Sequence, residues 1–372
     1  MRAGALIAAV VVAGGCVAGA PNGSAPPTGS GAIATLAPSA DGSNSPASTN
    51  VRLARAGQHV VILANGRAVL DNGAPLTIKG QGLPATPSVE AITSSSGAKL
   101  VYVAARDSHS VIALASTDGG KTWTSAGQQD VSSVDAIADL HIAEVGDQFA
   151  MLVVEATSSV VSSGVVATGP STGGKWSLGP APVGGDLSSA GGRYWIVGGV
   201  MGDQAFSSKD GLSWESVKLP TSATYWTAAP AVEVDGIGAV IPITSHDPAG
   251  PSDVTFFATS NLGKTWKPMA SVSAPLTEFD TTIPTSITAD GHWFVIWPDG
   301  SKVLAGSLGA TDTKVISPNG LGANVSQVVF SSPSTGVAVS NAATCPDGKA
   351  SCSFSTVVTR TDDGGQSWAS LP

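Results

Sequence analysis

Apolar and polar residues alternate along this chain in short runs, each bounded by turns that carry glycine or asparagine. His59-Val-Val-Ile-Leu63, Leu100-Val-Tyr-Val-Ala104 and His292-Trp-Phe-Val-Ile-Trp297 are rich in valine and aromatics, the side chains that suit a pleated, half-buried surface. Helix signals are scarce. The pattern predicts an all-β chain.

One turn is written four times between such runs. It reads Ser116-Thr-Asp118-Gly-Gly120-Lys-Thr122-Trp123, Ser207-Ser-Lys-Asp210-Gly211-Leu-Ser213-Trp214, Thr259-Ser-Asn261-Leu-Gly263-Lys-Thr265-Trp266 and Thr361-Asp-Asp363-Gly-Gly365-Gln-Ser367-Trp368. A Ser or Thr opens it, an Asp or Asn can bond the turn amides, a Gly supplies positive φ, and a Trp leads into the next strand. Repetition every 40 to 50 residues marks a repeat architecture. The Trp brings a large apolar area, so its truncation in a core costs about 3–5 kcal/mol.

These turns resemble the Asp-box, or bacterial neuraminidase, repeat of sialidases, sortilin-type receptors and the photosystem II assembly factor family. Val328-Val-Phe330-Ser-Ser-Pro-Ser-Thr-Gly336-Val-Ala-Val, followed by Thr356-Val-Val-Thr359 and the last turn, is similar to the repeat unit of the assembly factors. The resemblance implies a β-propeller with the box on the outer hairpin of each blade, away from the central pocket. Asp118, Trp123, Asp210, Trp214, Asn261, Trp266, Asp363 and Trp368 are then structural. Decayed copies follow the same phase: Ser171-Thr-Gly-Gly174-Lys-Trp176, Leu70-Asp71-Asn-Gly73-Ala-Pro-Leu76, and a stretch from Gly306 to Val315. Box ends near 76, 123, 176, 214, 266, 315 and 368 predict seven four-stranded antiparallel blades over 51–372. Six or eight blades stay open as alternatives, because the decayed copies set the count.

The start of the chain adds an address. Met1-Arg2 is followed by an apolar run from Leu6 to Val12 and by Ala13-Gly14-Gly15-Cys16, the layout of a secretory signal. It is similar to a bacterial lipoprotein signal, with Ala13 where that motif most often has Leu. On this reading residues 1–15 are removed and Cys16 is lipidated. An ordinary signal peptide or an uncleaved anchor is the alternative. Residues 16–50 are Gly, Ser, Pro, Ala, Thr and Asn with almost no charge, which predicts a disordered tether; the run Ala32 to Ala37 could instead add an outer strand to the last blade. No later stretch is long and apolar enough to span a bilayer. Cys345 and Cys352, across a Pro-Asp-Gly turn in an exported chain, read as a disulfide closing one hairpin loop; a zinc site lacks a nearby His.

Net charge is −9 for the whole chain. Loss of Arg2 with the signal leaves 17 basic against 27 acidic residues, or −10. With no basic run, nucleic acid is not an expected partner.

Propeller ligands meet the channel lined by the first strand of each blade. Counting 41 residues back from Trp176, Trp266 and Trp368 reaches Asp135, Tyr225 and Gln327. Equivalent positions in the other blades are Glu90, Asp186, and Glu278 with Asp280, while the first blade offers Arg52. Repeated phase places these side chains around one channel mouth. They either form an acid-lined site for a cation, a cationic peptide or a sugar, or they cap strand amides and bond channel water.

The sialidase resemblance implies three arginines on a carboxylate, a Tyr–Glu nucleophile pair and an Asp acid. Val51-Arg52-Leu53-Ala54 keeps only the Arg of the expected Phe/Tyr-Arg-Ile-Pro. Arg55, Arg67, Arg106, Arg193 and Arg360 fall off the inner-strand phase, Arg106 on a loop and Arg67, Arg193 and Arg360 on or beside middle strands. Ser245 and His246 are mere neighbours in a turn-rich loop, and His141 and His292 read as structural residues of apolar strands. The expectation is a monomeric, extracytoplasmic, lipid-anchored or secreted bacterial propeller. It binds or scaffolds an envelope protein or glycan without catalysis, metal or cofactor. The alternative is a sialidase-like glycoside hydrolase acting on extracellular glycans; a second enzyme reading is an inverting or retaining glycosidase with paired carboxylates, Asp135 with Asp186 or Glu278.

Overall fold

Short valine-rich runs joined by tight turns can pair only with their neighbours in sequence, and that is how this chain is built. The computed structural model describes residues between Val51 and Leu371, apart from 57–58, 65–66, 74, 77–87, 95–99, 108–109, 117–122, 135–136, 156–163, 172, 200–201, 224, 247–250, 276–282 and 345–352. Cys16, Asp118, Asp135, Glu278, Asp280, Cys345 and Cys352 lie outside the described residues, as does the whole of 1–50. Among the described residues no helix is long and apolar enough to cross a membrane.

Among the described residues the strands form seven antiparallel sheets, each from its own consecutive segment and six of them in simple up-and-down order. Their first strands are Val51–Ala56, Ser88–Ser94, Ile137–Val145, Gly185–Ala190, Tyr225–Ala228, Thr285–Ile287 and Val325–Phe330. Their last strands are Pro75–Leu76, Thr124–Asp130, Ser177–Pro180, Glu215–Ser216, Lys267–Ala274, Thr313–Ile316 and Ala369–Ser370. Each of the seven predicted box ends falls at or just before one of these last strands. Six sheets are four-stranded as expected. The fifth has an extra short strand, Val232–Val234, which shares the edge of Gly238–His246 with Tyr225–Ala228. The last sheet draws all four strands from residues 325–370, with Ala369–Ser370 at its outer edge.

Where side chains are described, the faces turned toward a neighbouring sheet are apolar and buried. Among the described residues six hydrophobic clusters each join two successive sheets. Phe149 and Trp176 of the third sheet pack on Val111 and Ala126 of the second. Tyr194 and Ile196 of the fourth meet Ala150 and Leu152 of the third. Trp195 and Ile241 lie between the fourth and fifth, Phe256 and Trp293 between the fifth and sixth, and Phe294 and Phe330 between the sixth and seventh. The sixth cluster joins Val337 and Val339 of the last sheet to Val51, Val60 and Ile62 of the first. The first strands line a common cavity around which the sheets are set. The fold is a β-propeller.

The repeated tryptophans sit at these seams. Trp176, Trp214, Trp266 and Trp368 each pack between their own sheet and the preceding one. In the turn at Asp210, Oδ1 accepts from the amides of Leu212 and Ser213 at 2.9 and 2.7 Å, and Gly211 N donates to Ser208 Oγ at 2.8 Å. The turn at Asp363 repeats this with Gln366 N and Ser367 N at 3.0 and 2.9 Å, and with Gly365 N on Thr361 Oγ1 at 2.9 Å. The Trp214 and Trp368 indoles each donate to a turn glycine carbonyl at 3.1 Å. Each carboxylate thus folds the turn that aims the indole into the seam. Donation from these amides and hydroxyls holds both acids down at a pKa of about 2, led by Ser213 N at Asp210 and by Ser367 Oγ at Asp363. At Asn261 the side-chain oxygen does the same work, accepting Thr265 N at 2.9 Å.

Candidate functional site: the central cavity

Six of the seven first strands contribute described residues to a cavity of about 1310 Å³. Its described ionisable lining is Arg52 and Arg55 against Asp139, Glu144, Asp186, Glu233 and Asp235, a net −3 with His141 neutral. We call the end where the first strands begin the near mouth, and the end where they turn back the far mouth.

At the near mouth a chain of polar side chains crosses from the first sheet to the fourth. Arg52 pairs with the Asp139 carboxylate, and its Nη1 donates to the Leu140 carbonyl at 3.1 Å. Asp139 Oδ2 lies 3.2 Å from His141 Nε2, and His141 Nδ1 lies 3.5 Å from Asp186 Oδ1. The imidazole is nearly buried while the Asp186 carboxylate is 55 % exposed. Burial pushes the His141 pKa down; Asp186 opposes that and Arg52 reinforces it, so the ring is neutral at pH 7.

At the far mouth the charges sit in or beside hairpin turns. Glu233, in the strand Val232–Val234 of the fifth sheet, accepts the amide of Gly191 in a turn of the preceding sheet. Asp235 N donates to Ala289 O at 2.8 Å, which ties the turn of the fifth sheet to that of the sixth. Asp290 accepts Thr288 Oγ1 at 2.5 Å and lies 3.2 Å from His292 Nδ1; the Thr288 hydroxyl leads in holding its pKa down. Arg55 faces this end, and its Nη1 makes a long 3.5 Å contact with Ile287 O.

The positions expected from the repeat phase fare unevenly. Asp186 lines the cavity. Gln327 lines it too, but its amide donates to Val51 O at 2.7 Å, which makes it a tie between the last and first sheets. Tyr225 opens its strand with a ring 44 % exposed, and the fifth sheet enters the cavity wall only from Ala228. Glu90 is in the expected first strand, as the extra residue of a bulge between Val89 and Ala91.

Four sequence assignments change. His141 belongs to a first strand at the cavity, because Ile137–Val145 is the inner strand of its sheet. Arg55 is also a cavity residue, although it lies three positions beyond Arg52. Arg106 falls within the strand Leu100–Asp107, and not in a loop. His246 ends a strand and meets Ser252 Oγ at 3.2 Å, away from its sequence neighbour Ser245. Asp139 went unnoticed, yet Asp139 and His141 alternate along one strand and so share a face, a period-two signal visible in Asp139-Leu-His141.

No family model matches the sequence, and no curated protein matches it. Solved propellers do. YCF48 bound to D1 peptide matches with TM-score 0.50 and 15 % identity, over 79 % of this chain and 91 % of that one. The Cps50 (Swd1) β-propeller domain of Myceliophteria thermophila matches with TM-score 0.50 and 10 % identity, over 79 % and 93 %. A Trypanosoma rangeli sialidase matches with TM-score 0.39 and 13 % identity, over 78 % of this chain and 55 % of the sialidase. At such identities the likeness is one of fold.

Proposed function

We propose that this chain is an exported, lipid-anchored, seven-bladed propeller of the Asp-box type, which binds a protein segment at the near mouth of its cavity without chemical conversion. The segment carries a basic side chain. The observation that supports this reading is Asp186: its carboxylate is half-exposed, lies 3.5 Å from His141 Nδ1, and is set in a cavity whose described lining is net negative. A carboxylate at the rim of a low-dielectric concavity favours an incoming cation. YCF48, a propeller of the same fold, has been solved with a peptide bound, and a peptide segment is the class of partner we assign here. Cys16 supplies the lipid anchor and residues 16–50 the tether.

The test is calorimetric titration of the mature chain with a tetralysine peptide and a tetraglutamate peptide. Tetralysine should bind, more weakly at high salt, and lose about tenfold in Asp186→Asn, the scale of one charge-assisted contact. Equal binding of both peptides, or an unchanged Asp186→Asn, would remove the basis of the reading. Turnover of aryl sialosides would replace it with the glycosidase alternative. Replacement of Cys16 by Ala should release the protein from the membrane fraction.

A further inference from the structure

Arg52 and Arg55 stand on one strand, Val51–Ala56, three residues apart. An odd spacing on a strand puts side chains on opposite faces. Arg52 accordingly turns toward the third sheet and Arg55 toward the sixth. Their engagement differs. Arg52 is held by the Asp139 carboxylate and the Leu140 carbonyl. Arg55 gives one long hydrogen bond, 3.5 Å to Ile287 O, although a guanidinium carries five N–H donors in a planar fork. Its remaining nitrogens are open to the cavity, since none is among the buried, unpartnered polar atoms of the described residues.

Two carboxylates attend Arg55 without capping it. Asp235 lines the same cavity as Arg55, and Asp290 follows the lining Ala289 in the turn just beyond Ile287, whose carbonyl Arg55 reaches. Burial lowers the Arg55 pKa and both carboxylates oppose that, yet neither forms an ion pair with the guanidinium among the described contacts. The two turns that carry them are tied together by the Asp235 amide on Ala289 O at 2.8 Å, and Thr288 Oγ1 donates to the Asp290 carboxylate at 2.5 Å. The local balance is one cation against two anions. A simple anion would meet the carboxylates, and a simple cation would meet the guanidinium. A ligand bearing both charges side by side satisfies each.

We propose that the far mouth binds a zwitterionic group, taking its carboxylate on the Arg55 fork and its neighbouring ammonium on Asp235 and Asp290. This site is separate from the near-mouth carboxylates Asp139 and Asp186 and does not depend on their role. A free amino acid carries the required pair of charges, and so does a peptide segment with adjacent basic and acidic side chains.

The full mature chain is titrated with glycine, with N-acetyl-Lys-Glu-amide, and with acetate and methylammonium at matched ionic strength. Saturable binding of glycine or of the capped dipeptide, with neither single-charge control competing, supports the site. Glycine alone points to a free amino acid, and the dipeptide alone to a peptide. Binding should fall about tenfold in Arg55→Gln and in Asp235→Asn, and persist in Asp186→Asn. Should Arg55→Gln fail to fold by circular dichroism, Asp235→Asn decides. The proposal is overturned by acetate binding as tightly as the zwitterions, by no saturable binding of either zwitterion, or by affinity unaltered in Asp235→Asn.

Discussion

The side-chain amide of Gln327 donates to the main-chain carbonyl of Val51 at 2.7 Å, linking the last sheet to the first. Among the described residues no strand is exchanged between these sheets, each being built from its own consecutive segment. Closure therefore rests on side chains: the valine cluster across the seam, the Gln327 amide, and Arg360 Nη1 on Asp71 O at 3.0 Å. Replacing Gln327 by Ala should lower stability by about 1 kcal/mol, the net worth of one hydrogen bond. Denaturant titration should show a lower midpoint with an unchanged slope. An unaltered midpoint would mean that the apolar contacts alone close the ring.

The turn carboxylates predict an acid limb of unfolding. Asp210 and Asp363 are each held at about 2 in the folded chain, against an ordinary value near 4. A depressed carboxylate pKa stabilises the fold at pH values above the unfolded value, and that stabilisation is lost as pH falls from about 4 toward about 2. Asp363→Asn should flatten the melting temperature across this window relative to wild type. Both groups are largely exposed, so solvent screening keeps each contribution modest. An equally steep acid limb in the Asp363 variant would assign it to other carboxylates.

These turns were the most legible part of the chain. Ser or Thr, Asp, Gly and Trp sit in a fixed order because each does a separate physical job in the turn, so even decayed copies such as Leu70 to Leu76 mark the end of a repeat. The cavity was harder to read. Counting back from a tryptophan assumes equal loops, but bulges beside Glu90 and between Val325 and Gln327 shift the side chains by one place. A one-residue shift moves a side chain to the other face of its strand. Asp186 survived that error, whereas Asp139, His141 and Arg55 emerged only once the strands were registered against one another. Gln327 shows a further limit: its phase was right, but its partner lies 276 residues away in sequence.

Leu262 occupies the place in its turn that Gly364 holds in the last copy, and both have positive φ, 65° and 72°. A left-handed backbone brings the Cβ of an L-residue too close to the following carbonyl, at about 1–2 kcal/mol. Leu262→Gly should relieve this, offset in part by greater freedom of the unfolded chain. The expected result is a small rise in melting temperature, measured by calorimetry. A fall would show that the half-buried leucine side chain contributes more by packing than its backbone loses in strain.

Trp176 lies over two glycines, and its indole donates to Ala126 O at 2.9 Å. A methyl group on Gly169 would stand 2.6 Å from the ring at Cγ, with backbone and ring both unable to move far in a packed seam. Gly169→Ala should cost about 1–3 kcal/mol by overpacking. The check is a double-mutant cycle with Trp176→Leu, in which the alanine should be tolerated far better once the ring is removed. Additive losses would place the damage elsewhere in the strand Gly164–Pro170.

His141 gives the last prediction. It is nearly buried between Asp139 and Asp186, with Arg52 close by, and burial keeps its folded pKa below the ordinary 6.5. A base that resists protonation in the folded chain binds fewer protons there than in the unfolded chain. Stability contributed by the neutral ring is therefore full above about pH 6.5 and declines as pH falls below that value. Denaturant midpoints taken from pH 8 down to pH 5 should drop for the wild type, and drop less for His141→Gln, which retains a polar side chain but cannot charge. The decline begins near pH 6.5, above the range in which Asp210 and Asp363 titrate, so its onset is separable from theirs in one pH series. A His141→Gln curve parallel to wild type would show that the ring accepts its proton from solvent at no cost to the fold, with Asp139 and Asp186 fully compensating its burial.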